Sequence, residues 1–152
     1  MAHIDGAARG NPGPAGYGVV VEAEGGRPPV EIYGYLGTAT NNVAEYAALL
    51  ALLEHAVGRG PISLRVRSDS ELLVRQMRGI YRVKDARLRV LHAAARSLAG
   101  RLREVAFEHV PRERNREADA LANRAIDLEE STGPLPEALR SLPRAPAQPR
   151  LS

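Results

Sequence analysis

The apolar positions follow two rhythms. In ISLRVRSD, Ile62, Leu64 and Val66 alternate with Ser63, Arg65 and Arg67, the two-residue period of a half-buried strand. PVEIYGYLG sets out Val30 and Ile32, then Tyr33 and Tyr35, and its β-branched and aromatic residues also predict a strand. Residues 2–8 predict a short first strand, YGVVVEAEGG a second that ends in a Gly-Gly turn, and REVAFEHVP the last. The other rhythm is helical. Tyr46, Leu49, Leu50, Leu53 and Val57 predict an amphipathic helix that GRGP ends. SELLVRQMRGIY predicts a short helix with Leu73, Met77 and Ile80 on one side and Gly79 weakening its end. A further helix is expected from about Asp85 to Leu102, facing inward through Leu88, Leu91, Ala95, Leu98 and Leu102. NREADALANRAIDLEE predicts the last helix, buried through Leu121, Ala125 and Leu128.

The order is β-β-β-α-β-α-α-β-α. The first three strands read as an antiparallel meander. The fourth and fifth arrive through helices and should lie parallel to a neighbour. The expected class is α/β, a five-stranded mixed sheet flanked by helices. From Gly133 the chain turns Pro-rich, GPLPEALRSLPRAPAQPRLS. This predicts a domain over residues 1–132 and a flexible tail or linker stub over 133–152, with a single helical turn at Glu137–Leu142.

DGAARGNPGPAGYG, from Asp5 to Gly18, is rich enough in glycine to suggest a phosphate cradle. Such a cradle needs a helix after its glycines, and here YGVVV continues as strand. Gly-Lys-Ser/Thr and a well-spaced G-x-G-x-x-G are both missing. The stretch is better read as a broad hairpin connection that presents Asp5 and leaves backbone and Asn11 bare.

Composition narrows the class. A chain of 152 residues is one domain with enough length for a core. With no cysteine it holds no disulfide or thiolate metal site. No apolar run approaches a membrane span, and MAHIDG does not open like a signal peptide. The expectation is a cytoplasmic monomer without a membrane partner. The net charge of +3 is too small to identify a nucleic-acid partner. Lys84 is the only lysine, so nearly every cation is an arginine, which suits bidentate phosphate contacts. A coding bias or heat-adapted composition explains the same preference equally well.

Four acids stand at element ends: Asp5 at the end of the first strand, Glu45 after TNNVA, Asp69 at the end of the fourth strand, and Asp119 in the first turn of the last helix. Each has a purely structural explanation. Asn42-x-x-Glu45 spells a capping box. Asp69 or Ser70 can cap the following helix, Asp119 suits a helix N-terminus, and Asp5 can close a turn. Together they suggest more, because sites in α/β sheets gather at the C-terminal ends of strands. Two like charges 4 Å apart repel by about 4 kcal/mol at an effective dielectric near 20. A converging set must therefore protonate or bind cations, and an all-oxygen donor set selects hard ions such as Mg²⁺ or Mn²⁺.

IDGAARGNPGPAGYG, TNNVAEYAAL, RSDSELLV and NREADALAN resemble the four signature blocks of type 1 ribonuclease H, in the family's order and over about residues 2–130. The resemblance implies a two-metal endonuclease that cuts the RNA strand of RNA–DNA hybrids and leaves 5′-phosphate and 3′-hydroxyl ends. It implies Asp5, Glu45, Asp69 and Asp119 as catalytic metal ligands for two Mg²⁺, with Mn²⁺ as a substitute. In that scheme Asp5 and Asp69 contact both ions, Glu45 one ion and the RNA ribose, and Asp119 the other ion. Gly6, Asn11, Asn41 and Asn42 match positions at the hybrid's minor groove, and Thr40 a position that grips a DNA-strand phosphate. Two alternatives stay open: a hybrid-binding domain without catalysis, and the ribonuclease H module of a larger bifunctional protein.

The chain departs from many relatives in two places. Only GIYRVKDAR stands between the second and third helices, so the basic substrate-binding handle is absent. Arg75, Arg78, Arg82, Lys84, Arg87 and Arg89 are left as a partial replacement, or as a solvated face. The second departure is the loop before the last helix, where relatives carry a proton-shuttling histidine. His109 is ten residues before Asp119 and stays an auxiliary candidate for that role, although its alternation with Val105 and Phe107 places it on a strand. The short loop RER leaves Arg112 and Arg114 as auxiliary candidates beside the leaving phosphate, acting by charge because arginine is no base at neutral pH. His3, His55 and His92 show no metal-ligand spacing.

Overall fold

The computed structural model describes residues 1–142. In chain order the elements are β1 (Ala2–Ala8), β2 (Gly13–Val21), β3 (Val30–Ala39), α1 (Asn41–Gly58), β4 (Ser63–Ser68), α2 (Glu71–Met77), α3 (Ala86–Ala99), β5 (Glu104–His109), a 3-10 turn (Arg112–Arg114), α4 (Arg116–Leu128) and α5 (Glu137–Arg140). The five strands form one sheet ordered β3-β2-β1-β4-β5. β1–β2 and β2–β3 are antiparallel, and β1–β4 and β4–β5 are parallel. The expected mixed sheet is therefore the observed one.

Strand alternation sends neighbouring residues to opposite faces. Tyr17 and Val19 of β2 join Ile4 and the leucines of α1 on one face. Val20 meets Ala118 and Leu121 of α4 on the other. Glycine lets the second helix come close: a Cβ on Gly18 would lie 2.2 Å from the Ala118 carbonyl oxygen.

α1 differs from the expected amphipathic helix. Its residues from Val43 to Leu53 are all buried. It is enclosed by the sheet on one side and α3 on another, and Ala44, Ala47, Ala48 and Ala51 permit that close approach. Burying a leucine such as Leu50 contributes about 1.5–3 kcal/mol, so this helix is a main source of stability.

Four local expectations change. The stretch from Asp5 to Gly18 is mostly paired strand, and only residues 9–12 form the turn, with a cis Asn11–Pro12 peptide. α2 stops at Met77 because Gly79 takes a positive φ of 78°, and this leaves Ile80 exposed. Leu128 is exposed, because α4 buries Ala118, Leu121, Ala122, Ala125 and Ile126, whose stripe runs along a neighbouring line of the helix. The boundary expected at residue 132 separates residues that pack together. Leu135, Ala138, Leu139 and Leu142 rest on the core, and the Glu137 N–H donates to Glu54 Oε2 at 3.0 Å. The rest of the expected tail, residues 143–152, lies outside the described residues.

Candidate functional site

β1 and β4 pair in parallel only from Ala2–Val66 to Ile4–Ser68. β4 then ends while β1 continues to Ala8, so Asp5 sits beside an open edge and Asp69 follows the last paired residue of β4. Asp5 is thus at the end of the parallel pairing rather than at the end of its strand. Where the parallel pairing ends, Asp5 and Asp69 come next on neighbouring strands at one end of the sheet, where sites collect in α/β folds.

Glu45 reaches this edge from α1. A Cβ on Gly6 would lie 2.3 Å from the Ala44 carbonyl carbon and the Glu45 nitrogen. Only glycine lets the first turns of α1 rest on β1 so closely. The Gly6 backbone N–H faces the Glu45 carboxylate and favours its ionised form. Gly6, expected at the substrate groove, is buried under α1 and sets the place of Glu45.

The local caps leave the acids free of structural duty. Thr40, not Asn42, caps α1, and its Oγ1 accepts from Val43 N at 3.2 Å. The capping box expected of Asn42 and Glu45 does not form, because both lie inside the helix. Ser70, not Asp69, caps α2, accepting from Leu73 N at 3.2 Å.

One carboxylate oxygen from each of Asp5, Glu45 and Asp69 lies within 4.8 Å of the others. Asp119 approaches from α4, and its carboxylate and that of Glu45 are both within hydrogen-bonding reach of Asp5. Asp5 and Glu45 are about 95% buried, with 4% and 5% exposure. Burial, then the charges of Glu45, Asp69 and Asp119, push the Asp5 carboxyl up to about 10. Burial and Asp69 push Glu45 up to about 8, against the hydrogen bonds from Gly6 and Asp5. Glu45 Oε2 is buried with no hydrogen-bond partner. An orphaned buried oxygen in an all-oxygen cluster of acids, whose ionised forms repel one another, fits divalent cations.

Around the acids, Asn41 and Asn42 are exposed on the first turn of α1, and exposed Asn11 accepts from Asn41 N at 3.0 Å. His109 ends β5 and its Nε2 lies 3.3 Å from the Asp69 carbonyl oxygen. It is thus beside the cluster, as counting along the chain suggested, yet on the strand that register demanded. Arg112 and Arg114 are exposed in the 3-10 turn. Of the arginines expected as a phosphate face, three have partners in the fold. Arg75 pairs with Glu71 and lies over Tyr81, Arg78 donates to the Phe107 carbonyl, and Arg89 donates to that of Val83. No helix among the described residues is long and apolar enough to cross a membrane.

The sequence marks Asn115 only as the start of the last helix and gives Asn123 no role. Asn115 is buried, and its Nδ2 donates to the Ile4 carbonyl at 2.8 Å. Asn123 donates to Asp119 Oδ1 at 3.3 Å. A buried asparagine at a helix start is visible in sequence only as a cap, and neither residue has a recognisable partner along the chain.

The family model described as reverse transcriptase-like matches residues 3–125. A bifunctional protein of Mycobacterium tuberculosis is 48% identical over 128 residues, which are 84% of this chain and 35% of that protein. Ribonuclease HI of Halobacterium salinarum is 44% identical over 126 residues, 83% of this chain and 63% of that one. The chain therefore spans about a third of the mycobacterial protein and under two thirds of the haloarchaeal one. A crystal structure of LC11 ribonuclease H1, solved with an RNA/DNA hybrid, superposes with a TM-score of 0.78 at 45% identity, covering 84% of this chain and 96% of that one. With a matching family model over residues 3–125, relatives at this level of identity and the same fold in solved structures, the chain belongs to the type 1 ribonuclease H family.

Proposed function

We propose that this protein is a divalent-cation-dependent endonuclease that hydrolyses the RNA strand of RNA–DNA hybrids. The observation that carries the reading is the meeting of Asp5, Glu45 and Asp69 oxygens within 4.8 Å, with Asp119 in reach of Asp5. Asp5, Glu45, Asp69 and Asp119 would hold two Mg²⁺, or Mn²⁺ in their place. Bound there, the cations would supply an activated water, a stabilised leaving 3′ oxygen and a polarised phosphate. The products are then 5′-phosphate and 3′-hydroxyl ends.

The chain's own part is to hold and discriminate. Burial keeps the Asp5 and Glu45 carboxylates poorly hydrated, so ligation costs them little water. Hybrids differ from DNA duplexes in the 2′-hydroxyls displayed by a shallow minor groove. Asn11, Asn41 and Asn42 offer amides that donate and accept at that level, joined into one surface by the Asn11–Asn41 hydrogen bond. The Thr40 hydroxyl accepts from Val43 N and keeps its proton to donate to a DNA-strand phosphate. Arg112 and Arg114 would act by charge on the scissile phosphate and on the 5′-phosphate product. His109, exposed beside Asp69, is the remaining group able to carry a proton. These contacts address backbone and sugar, so cleavage should show little sequence preference.

We read the protein as a cytoplasmic monomer. A second reading is that this is the ribonuclease H module of a longer bifunctional protein, favoured by the mycobacterial relative, of which the chain spans 35%.

End-labelled RNA paired with DNA, paired with RNA, or left single-stranded tests the substrate choice. Cleavage confined to the hybrid, with 3′-hydroxyl ends, is expected. Hybrid binding without cleavage in Mg²⁺ and Mn²⁺ would instead make it a binding domain.

A further inference from the structure

Asp119, Asn123 and Asp127 follow one another at four-residue spacing along one flank of α4, a spacing at which helical side chains meet. Arg9, in the turn between β1 and β2, reaches across to this flank. Its Nη2 lies 2.7 Å from Asp127 Oδ1 and donates to Asn123 Oδ1 at 3.3 Å. The other end of the amide, Asn123 Nδ2, donates to the Asp119 carbonyl at 3.0 Å and to Asp119 Oδ1 at 3.3 Å.

A guanidinium has donors only. It therefore decides which end of the Asn123 amide faces it, oxygen toward Arg9 and NH₂ toward Asp119. The amide holds one carboxylate oxygen of Asp119 without bringing a charge to it. A carboxylate at this place would repel Asp119, and an ammonium would compete with a cation for it. The turn that carries Arg9 also carries Asn11, which accepts from the first backbone N–H of α1. One short turn thus touches the helix of Glu45 on one side and the helix of Asp119 on the other.

We propose that Arg9 and Asn123 are positioning residues: this chain of hydrogen bonds holds the Asp119 carboxylate in the orientation that ligates a cation beside Asp5. The inference rests on the reading of the four acids as cation ligands. Hydrogen bonds that orient metal ligands typically contribute about 10–100-fold to metal affinity.

The test is Mn²⁺ binding to the full chain without nucleic acid, for the wild type, Asn123→Ala, Arg9→Ala, their double variant and Asp69→Asn. Melting in EDTA, and kcat and KM on a hybrid across Mn²⁺ concentrations, accompany it. Asn123→Ala should weaken Mn²⁺ binding about tenfold, Arg9→Ala less, and the double variant no more than Asn123→Ala. Metal-free melting should stay close to wild type, since the Arg9 contacts are on the surface. Excess Mn²⁺ should restore kcat in Asn123→Ala with KM for hybrid unchanged. Wild-type Mn²⁺ affinity in Asn123→Ala would overturn the proposal, whether KM rises (a substrate contact) or melting falls (a structural one). Asp69→Asn separates the two levels. If it binds Mn²⁺ like wild type, the cation-site reading itself fails. If it loses binding while Asn123→Ala keeps it, only the positioning role fails.

Discussion

Asn115 fastens the start of α4 to Ile4, the residue before Asp5, through a 2.8 Å hydrogen bond from its buried side-chain amide to the Ile4 carbonyl. The same residue's backbone carbonyl accepts from Asp119 N at 3.1 Å. One buried residue therefore sets the distance between two of the acids. Asn115→Ala leaves the Ile4 carbonyl without this donor, and a buried unpaired group costs about 1–3 kcal/mol. Denaturant unfolding should show that loss, and hybrid cleavage should fall further than stability alone explains. Unchanged stability would show that water replaces the amide.

Gly6→Ala should be among the most damaging small changes. The new methyl would stand 2.3 Å from backbone atoms of Ala44 and Glu45. Backbone cannot rotate away, so α1 must lift from β1, at a cost of about 3 kcal/mol or more. Cleavage should fall with it, because Glu45 moves. A variant that melts and cuts like wild type would contradict the close approach.

The pH dependence of the metal-free fold follows from two raised carboxyls. In the unfolded chain Asp5 and Glu45 ionise near their ordinary values, 3.8 and 4.5. In the folded chain they hold their protons to about 10 and about 8. Between these limits the folded state binds more protons, so stability falls as pH rises. Melting in EDTA should therefore be lower at pH 8.5 than at pH 5.5. Mg²⁺ should recover more stability at the higher pH, because it displaces those protons. Melting in EDTA that climbs over this range would contradict the cluster's proton affinity.

Asp69→Asn should remove cleavage without harming the metal-free fold. The substitution takes one negative charge away from Asp5 and Glu45, both of which feel it. In EDTA the variant should melt at or above the wild-type temperature, and Mg²⁺ should raise its melting point less. A large loss of melting temperature in EDTA would show that Asp69 supports the fold rather than a cation.

The sheet was readable because its strands carry their own signal. Ile62, Leu64 and Val66 alternate whatever lies around them, and helical connections force β4 and β5 parallel. The acids stood out through the four signature blocks rather than through element ends, since β1 runs past Asp5 to Ala8 and Glu45 lies inside α1. Contacts that depend on what packs from outside were not readable. The buried circumference of α1 needs α3 in place, and the seating of Leu135 and Leu139 on the core needs both. Leu128 matched the helical period, yet the alanines beside it let α4 approach the sheet along a different line. The capping box of Asn42 and Glu45 was a sound local reading, and it lost to Thr40, which placed the helix start two residues earlier and released Glu45 for the cluster. Asn115 and Asn123 act on partners that no local pattern names.

On the proposed function, the four acids act together as a cation-loaded hydrolytic centre on RNA–DNA hybrids. Single-turnover cleavage of a labelled hybrid by wild type and Asp69→Asn, in Mg²⁺ and in Mn²⁺, tests it most directly. Wild type should cut the RNA strand in at least one metal and stop in EDTA, while Asp69→Asn should stay at background in both. Equal cleavage by the two proteins, or none by wild type in either metal, would overturn that function.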